Sequence, residues 1–170
     1  QCISDAGLLT SINLNKNVAL TFLNIDDNRL ETLDLTNNIN LKTVYCENNN
    51  LTKISTPHSS FAIEKLDCSD NNLTELNLSL SGTSKFEYLN CSGNAINGDA
   101  AQRFVDNLPT PSASNNAELV FTTSSATDKN SMTQAQVLTA ISKNWRVTDI
   151  YGNAYLGEQS TSIESIETDA

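Results

Sequence analysis

The chain has 170 residues, a formal net charge of −10 and only 6% aromatic residues. That length predicts one domain, and the acidic balance with no cluster of Lys or Arg excludes nucleic acid and an anionic membrane surface as partners. No apolar run reaches the roughly eighteen residues needed for a membrane-spanning helix, so no membrane insertion is expected; cations, basic proteins and neutral glycans remain possible.

The front end is ragged. Cys2, followed by Asp5 and Leu8, loosely matches the cysteine of a preceding repeat unit. A lipid-anchored cysteine is the rival reading, but Gln1 is the wrong neighbour for it. From Leu9 the chain repeats. The cleanest copy is Leu41-Lys-Thr-Val44-Tyr-Cys46-Glu-Asn-Asn49, of the form L-x-x-L-x-L-x-x-N, with Val44 and Cys46 in leucine positions. Units open at Leu9, Leu20, Leu30, Leu41, Leu51, Ile63, Leu73 and Phe86, with a partial one at Ile96. Steps of ten and eleven alternate at first, so the true period is two units, 21 to 23 residues carrying two short strands. A short unit with one apolar face buries it only by stacking on copies of itself.

Strand side chains alternate, so the fourth and sixth residues of each unit point inward. In the set opening at Leu20, Leu41, Ile63 and Phe86 these are Leu23 and Ile25, Val44 and Cys46, Leu66 and Cys68, Leu89 and Cys91. Asparagine recurs at Asn17, Asn28, Asn38, Asn49, Asn71 and Asn94, with Ser59 and Ser81 as replacements. A side-chain amide donates and accepts, so stacked Asn residues can satisfy peptide groups left inside a sharp bend.

After Gly98 the pattern changes. Asp99 to Gln102 reads as an N-cap with its capping-box partner, followed by a helix with Ala101, Phe104, Val105 and Leu108 on one face and Pro109 as the stop. Glu118 to Thr122 reads as a strand. Ser131 or Thr133 caps a second helix with Val137, Leu138 and Ile141 inward and Asn144 at its end. Trp145 to Asp149 is the last strand, followed by a Tyr151-Gly-Asn153 turn. Phe121 and Val147 are expected to continue the inward column of Ile25, Cys46, Cys68 and Cys91. The organisation is therefore residues 1–97 as repeat coils, 98–157 as helix-strand coils of the same array, and 158–170 as an acidic tail or linker. The fold class is an α/β solenoid with a parallel sheet.

The nested period, the Cys68-Ser-Asp-Asn-Asn-Leu73 wording and the closing segment Ala140 to Asn153 resemble bacterial leucine-rich repeat proteins, most of all surface and secreted proteins of the Bacteroidetes type. The resemblance spans residues 9 to about 157. It implies a right-handed leucine-rich repeat array outside the cytoplasm, at the cell surface or secreted, with no catalytic motif and no cofactor.

The candidate chemistry is sparse. Cys46, Cys68 and Cys91 recur once per coil and point the same way, which favours free buried thiols over a disulfide or a tetrahedral metal site. His58, the single histidine, falls in the Pro57 to Ala62 insertion and reads as an exposed loop residue rather than part of a triad with Ser59 or Ser60. Asp26, Asp27, Glu47, Asp67 and Asp70 lack the dense spacing of a calcium loop and read as a solvated acidic edge. The glycosylation sequons at Asn50, Asn72, Asn77 and Asn90 are generated by the repeat wording itself.

These readings favour a monomeric, non-catalytic module that binds a protein or glycan, with an architectural C-terminal segment of a larger bacterial surface protein as the alternative. The outward positions of the continuous sheet give the candidate face: Phe22, Asn24, Thr43, Tyr45, Lys65, Asp67, Tyr88 and Asn90, joined by Val120 and Arg146. Aromatic and Arg side chains are favoured anchors, and aromatic rings stack on sugars. The alternative for Phe22, Tyr45 and Tyr88 is cross-strand stabilisation alone.

Overall fold

The computed structural model describes residues 9–57, 62–78, 83–123, 125 and 127–158. Cys2, His58, Ser59 and Ser81, and the tail from residue 159, lie outside them. In chain order come β1 (Phe22–Asn24), β2 (Thr32–Asp34), β3 (Thr43–Tyr45), β4 (Lys53–Ser55), β5 (Lys65–Asp67), β6 (Thr83–Ser84) and β7 (Tyr88–Asn90). Then follow α1 (Gly98–Asn107), β8 (Thr110–Pro111), β9 (Glu118–Thr122), α2 (Gln134–Ser142) and β10 (Arg146–Asp149). One six-stranded parallel sheet has the order β1-β3-β5-β7-β9-β10, while β2 pairs with β4 and β6 with β8. The chain is α/β and mostly parallel, an arrangement compatible with a solenoid.

The register explains why such short strands hold. Leu23, Val44, Leu66, Leu89, Leu119 and Val147 lie opposite one another from strand to strand, and all are buried. Each leucine removed from water in this way contributes about 2 kcal/mol. Ile25, Cys46, Cys68, Cys91 and Phe121 form a second buried column two residues further on. Phe121 therefore sits as the sequence pattern predicts, in the same sheet as the cysteines. Val147 does not: it continues the Leu23 column. Trp145 takes the preceding inward position, packed on Phe86 with ring centroids 5.5 Å apart, and a register shift between Thr148 and Asp149 sets Asp149 opposite Thr122, so β10 pairs no residue with Phe121.

Among the described residues the full asparagine pattern appears in the set opening at Leu20. Asn71 Nδ2 donates to the carbonyls of Cys46, Cys68 and Ser69 at 3.0, 3.1 and 2.9 Å, and its Oδ1 accepts from Leu51 N at 2.9 Å. Asn49 and Asn94 repeat this pattern one winding before and after. Asn28 Oδ1 likewise accepts from Leu9 N at 3.0 Å. In the other set the bends differ. Asn17 is exposed, and buried Asn38 reaches the carbonyls of Leu14 and Asn17 at 3.1 and 2.9 Å while its Oδ1 has no partner among the described residues. Asn38 thus bonds the preceding bend as expected, and backbone bonds, Asn38 N to Leu35 O and Leu41 N to Asn38 O, close its own; Ser59 and Ser81, the expected replacements, lie outside the described residues.

The helices also depart from expectation in part. Asn97, not Asp99, is the N-cap of α1, and it makes no side-chain capping bond; Gln102 turns instead to Asp106 at 3.0 Å. Ala101, Phe104, Val105 and Leu108 are buried as the pattern requires. In α2, Thr133 and Gln136 form the capping box, and Val137 and Ala140 are buried, but Leu138 and Ile141 are 58% and 50% exposed. The reason is position: α2 packs on α1 and β10, and its other flank faces away from the stack.

The C-terminal end is closed. After β10 the chain turns back, with Tyr155 N donating to Val147 O at 3.0 Å and Thr148 bridging Ala154 in the antiparallel sense. The edge of β10 is thereby covered. Glu158 then pairs with Thr133 in the parallel sense. A Cβ at Gly157 would meet the Thr133 carbonyl carbon at 2.7 Å, so only glycine allows this approach.

Candidate functional site

Cross-strand register places Phe22, Thr43, Lys65, Tyr88, Glu118 and Arg146 in one outward column of the large sheet, and Asn24, Tyr45, Asp67, Asn90, Val120 and Thr148 in the next. The ten candidate residues thus share a face, but they are not equally available. Lys65 and Arg146 are exposed, and Phe22, Asn24, Thr43, Tyr45 and Tyr88 are half-buried. Asp67, Asn90 and Val120 are buried, which corrects the expectation that they are open to a partner.

The cause is local. Asp67 Oδ1 accepts from the Ser69 N–H at 3.0 Å and from its hydroxyl at 2.6 Å. Asn90 Oδ1 does the same with Ser92, at 3.1 and 2.8 Å, and Asn90 Nδ2 donates to Asp67 Oδ2 at 3.0 Å. These side chains terminate their strands by hydrogen-bonding backbone two residues on. The Asx-x-Ser spacing carries that signal in the sequence. Asn24 acts similarly, accepting from Asp26 N at 3.2 Å.

What stays available is aromatic and charged. The Phe22 and Tyr45 rings meet edge to face at 5.9 Å, diagonally across β1 and β3. Burial, with the nearby Asp67 and Glu118 carboxylates, pushes the Tyr88 hydroxyl up to about 12. Three ion pairs line the edge where strands enter: Lys42–Glu64 at 3.4 Å, Lys65–Glu87 at 3.6 Å and Arg146–Glu118 at 2.7 Å. Beside Arg146 lies a shallow open hollow of about 330 Å³, walled in part by Ile141, Asn144 and Trp145.

The edge where strands leave is acidic. Asp27, Asn48, Asp70 and Gly93 hold positive φ at the bend of successive windings; Asp26 and Glu47 sit just before the first two, and Asp67 three residues before Asp70. Burial raises the Asp26, Glu47 and Asp70 carboxyls above the usual range; Asp67 adds repulsion at all three and Asp128 at Asp70. Asp128 was not anticipated. Its Oδ2 accepts from Gly93 N at 3.0 Å, where Asp27, Asn48 and Asp70 donate to the carbonyls of Glu47, Ser69 and Ser92. A Cβ at Gly93 would run into the Asp70 carboxylate.

Cys46, Cys68 and Cys91 carry free, buried thiols, whose ionisation burial pushes well up; such thiols are inert as nucleophiles. Among the described residues no group of three or more His, Cys, Asp or Glu converges to hold a metal ion, and no helix is long and apolar enough to cross a membrane. Comparison with family models, curated proteins and solved structures finds no match to this chain.

Proposed function

We propose that this chain is a non-catalytic interaction module, a right-handed leucine-rich repeat solenoid of the bacterial surface kind that its repeat resembles. It works outside the cytoplasm as a monomer and offers the face of its large sheet, the concave one, to a protein or glycan. The observation that carries the reading is the row of half-exposed Phe22, Tyr45 and Tyr88 rings on a face whose neighbouring polar groups are already satisfied by Asx turns. Rings held on a rigid ladder lose little conformational freedom on binding. Glycan-array and pull-down screening of the intact chain tests it; capture of a partner that Tyr45→Ala and Tyr88→Ala release supports it, and capture insensitive to both counts against it.

A second reading, an architectural end segment of a larger surface protein, draws on the closure of the C-terminal edge by Tyr155 and Glu158. Partner capture that needs none of the sheet-face residues favours that role.

A further inference from the structure

We propose that the β1–β3 part of this face takes a basic, extended protein segment, with Lys or Arg side chains over the Phe22 and Tyr45 rings and against the Asp26 and Glu47 carboxylates. This rests on the reading of the sheet as the interaction face, and names what that face takes.

Charge distribution is the first argument. On the entering edge of the sheet the described cations each sit beside a carboxylate: Lys42 with Glu64, Lys65 with Glu87, Arg146 with Glu118. None of the described ion pairs reaches Asp26 or Glu47 on the leaving edge. Burial and the repulsion of Asp67 and Asp27 raise both carboxyls, with Asp26 adding to it at Glu47, and a cation on this edge relieves that cost. A neutral glycan would use the rings and leave the crowding in place.

Geometry separates a basic chain from a metal ion. Asp26 and Glu47 each follow the end of a neighbouring strand, β1 and β3, and such strands are spaced about 4.8 Å apart. Glu47 N donates to Asp26 Oδ1 at 3.0 Å, which fixes the two as a row along the sheet. The described carboxylates do not converge on a point. A row of separated anions suits cations carried on a flexible chain. The edge-to-face pair of Phe22 and Tyr45, 5.9 Å between centroids, stands beside that row, and a ring face attracts a guanidinium or ammonium.

The test uses the full chain and two fluorescent peptides of equal length, one alternating Arg with Gly and Ser, the other alternating Glu with them. Anisotropy should show the basic peptide binding and the acidic one not, with binding weakened by added salt. The Asp26→Asn/Glu47→Gln variant should bind the basic peptide about tenfold more weakly. Asn keeps the acceptor for Glu47 N, so the fold should survive, as circular dichroism would show. Glu31→Gln/Glu75→Gln, which removes as much charge elsewhere, should change affinity less than about twofold, and Tyr45→Ala should weaken it. Equal losses in the two charge variants would mean attraction to net charge alone and would overturn the proposal. A Tyr45-dependent glycan or acidic peptide without basic-peptide binding would also overturn it, while leaving the sheet-face reading intact. Partner binding that ignores Tyr45 and Tyr88 would remove the underlying reading as well.

Discussion

The Tyr155 hydroxyl accepts a hydrogen bond from the Met132 N–H at 3.1 Å. In earlier windings the matching N–H groups of Leu9, Leu30, Leu51, Leu73 and Ile96 are taken by Asn28, Asn49, Asn71, Asn94 and Asn130. The Met132 carbonyl, likewise, accepts from Glu158 N at 2.7 Å, as the Leu73 carbonyl accepts from Ala95 N. A tyrosine from the returning chain thus stands where the next asparagine would be, and the ladder stops with its groups satisfied. Removing the hydroxyl strands a partly buried N–H, so Tyr155→Phe is expected to cost about 1–2 kcal/mol in urea unfolding. A variant as stable as the parent would show that water replaces the hydroxyl freely.

Within the ladder the cost is larger. Asn71 bonds three buried carbonyls and one buried N–H in two windings. Asn71→Ala strands the buried Leu51 N–H and takes one of two donors from each carbonyl, which keep Asn49, Asn94 and Asn48 N respectively; a loss of roughly 3 kcal/mol is expected. Its exposed neighbour Asn72 supplies the control: Asn72→Ala should stay within about 0.5 kcal/mol. Similar losses for the two would contradict the ladder's role.

Lys143 ends a helix that is not its own. Its Nζ donates to the carbonyls of Val105, Asp106 and Leu108 at 2.8, 2.6 and 3.1 Å, and α1 has no basic residue in its last turn. A cation at a helix C-terminus stabilises it by about 0.3–1 kcal/mol, and up to about 2 where partly buried. Lys143→Met keeps the stem and removes the charge; thermal unfolding should show a loss in that range, and an unchanged midpoint would argue against the cap.

The parallel sheet is legible in the sequence because one demand recurs from strand to strand. Leu23, Val44, Leu66 and Leu89 share a column, and Asn49, Asn71 and Asn94 follow at fixed offsets. Asn130 was missed since the longer closing windings break the period, although Asn130-Ser131-Met132 keeps the Asn-x-apolar form of Asn94-Ala95-Ile96. Asp67 and Asn90 point outward as alternation requires, yet their hydrogen bonds to Ser69 and Ser92 bury them. Leu138 and Ile141 have helical spacing, but spacing cannot say that α2 has a neighbour on one flank only. Lys143 and Tyr155 act across the fold, and no local pattern announces them.

The acidic edge makes a pH prediction. Asp26, Glu47 and Asp70 have folded-state pKa values raised above the ordinary 3.8 for Asp and 4.5 for Glu. The folded state therefore binds more protons than the unfolded one as pH falls through that window, and stability rises. Asp34 opposes this, since its bonds to Thr36 hold its pKa below 3.8 and its contribution is lost in stronger acid. The urea midpoint is expected to increase from neutral pH towards the ordinary carboxyl range and to fall below it. Asp26→Asn/Glu47→Gln should flatten the rise; a parent midpoint that falls steadily from neutrality would contradict the account.

The most direct test of the central claim compares two sets of single variants against whichever partner the screens capture. Tyr45→Ala, Tyr88→Ala and Arg146→Ala alter the large sheet's outward face; Asn13→Ala, Asp34→Ala and Asn77→Ala alter outward positions of the other repeat set. Affinity measured by titration calorimetry, with circular dichroism to confirm folding, should fall for each member of the first set. Hot-spot truncations cost about 1–2 kcal/mol or more, some tenfold in Kd. The second set should leave affinity unchanged. Binding abolished by the second set and untouched by the first would place the partner elsewhere and contradict the assignment of this face.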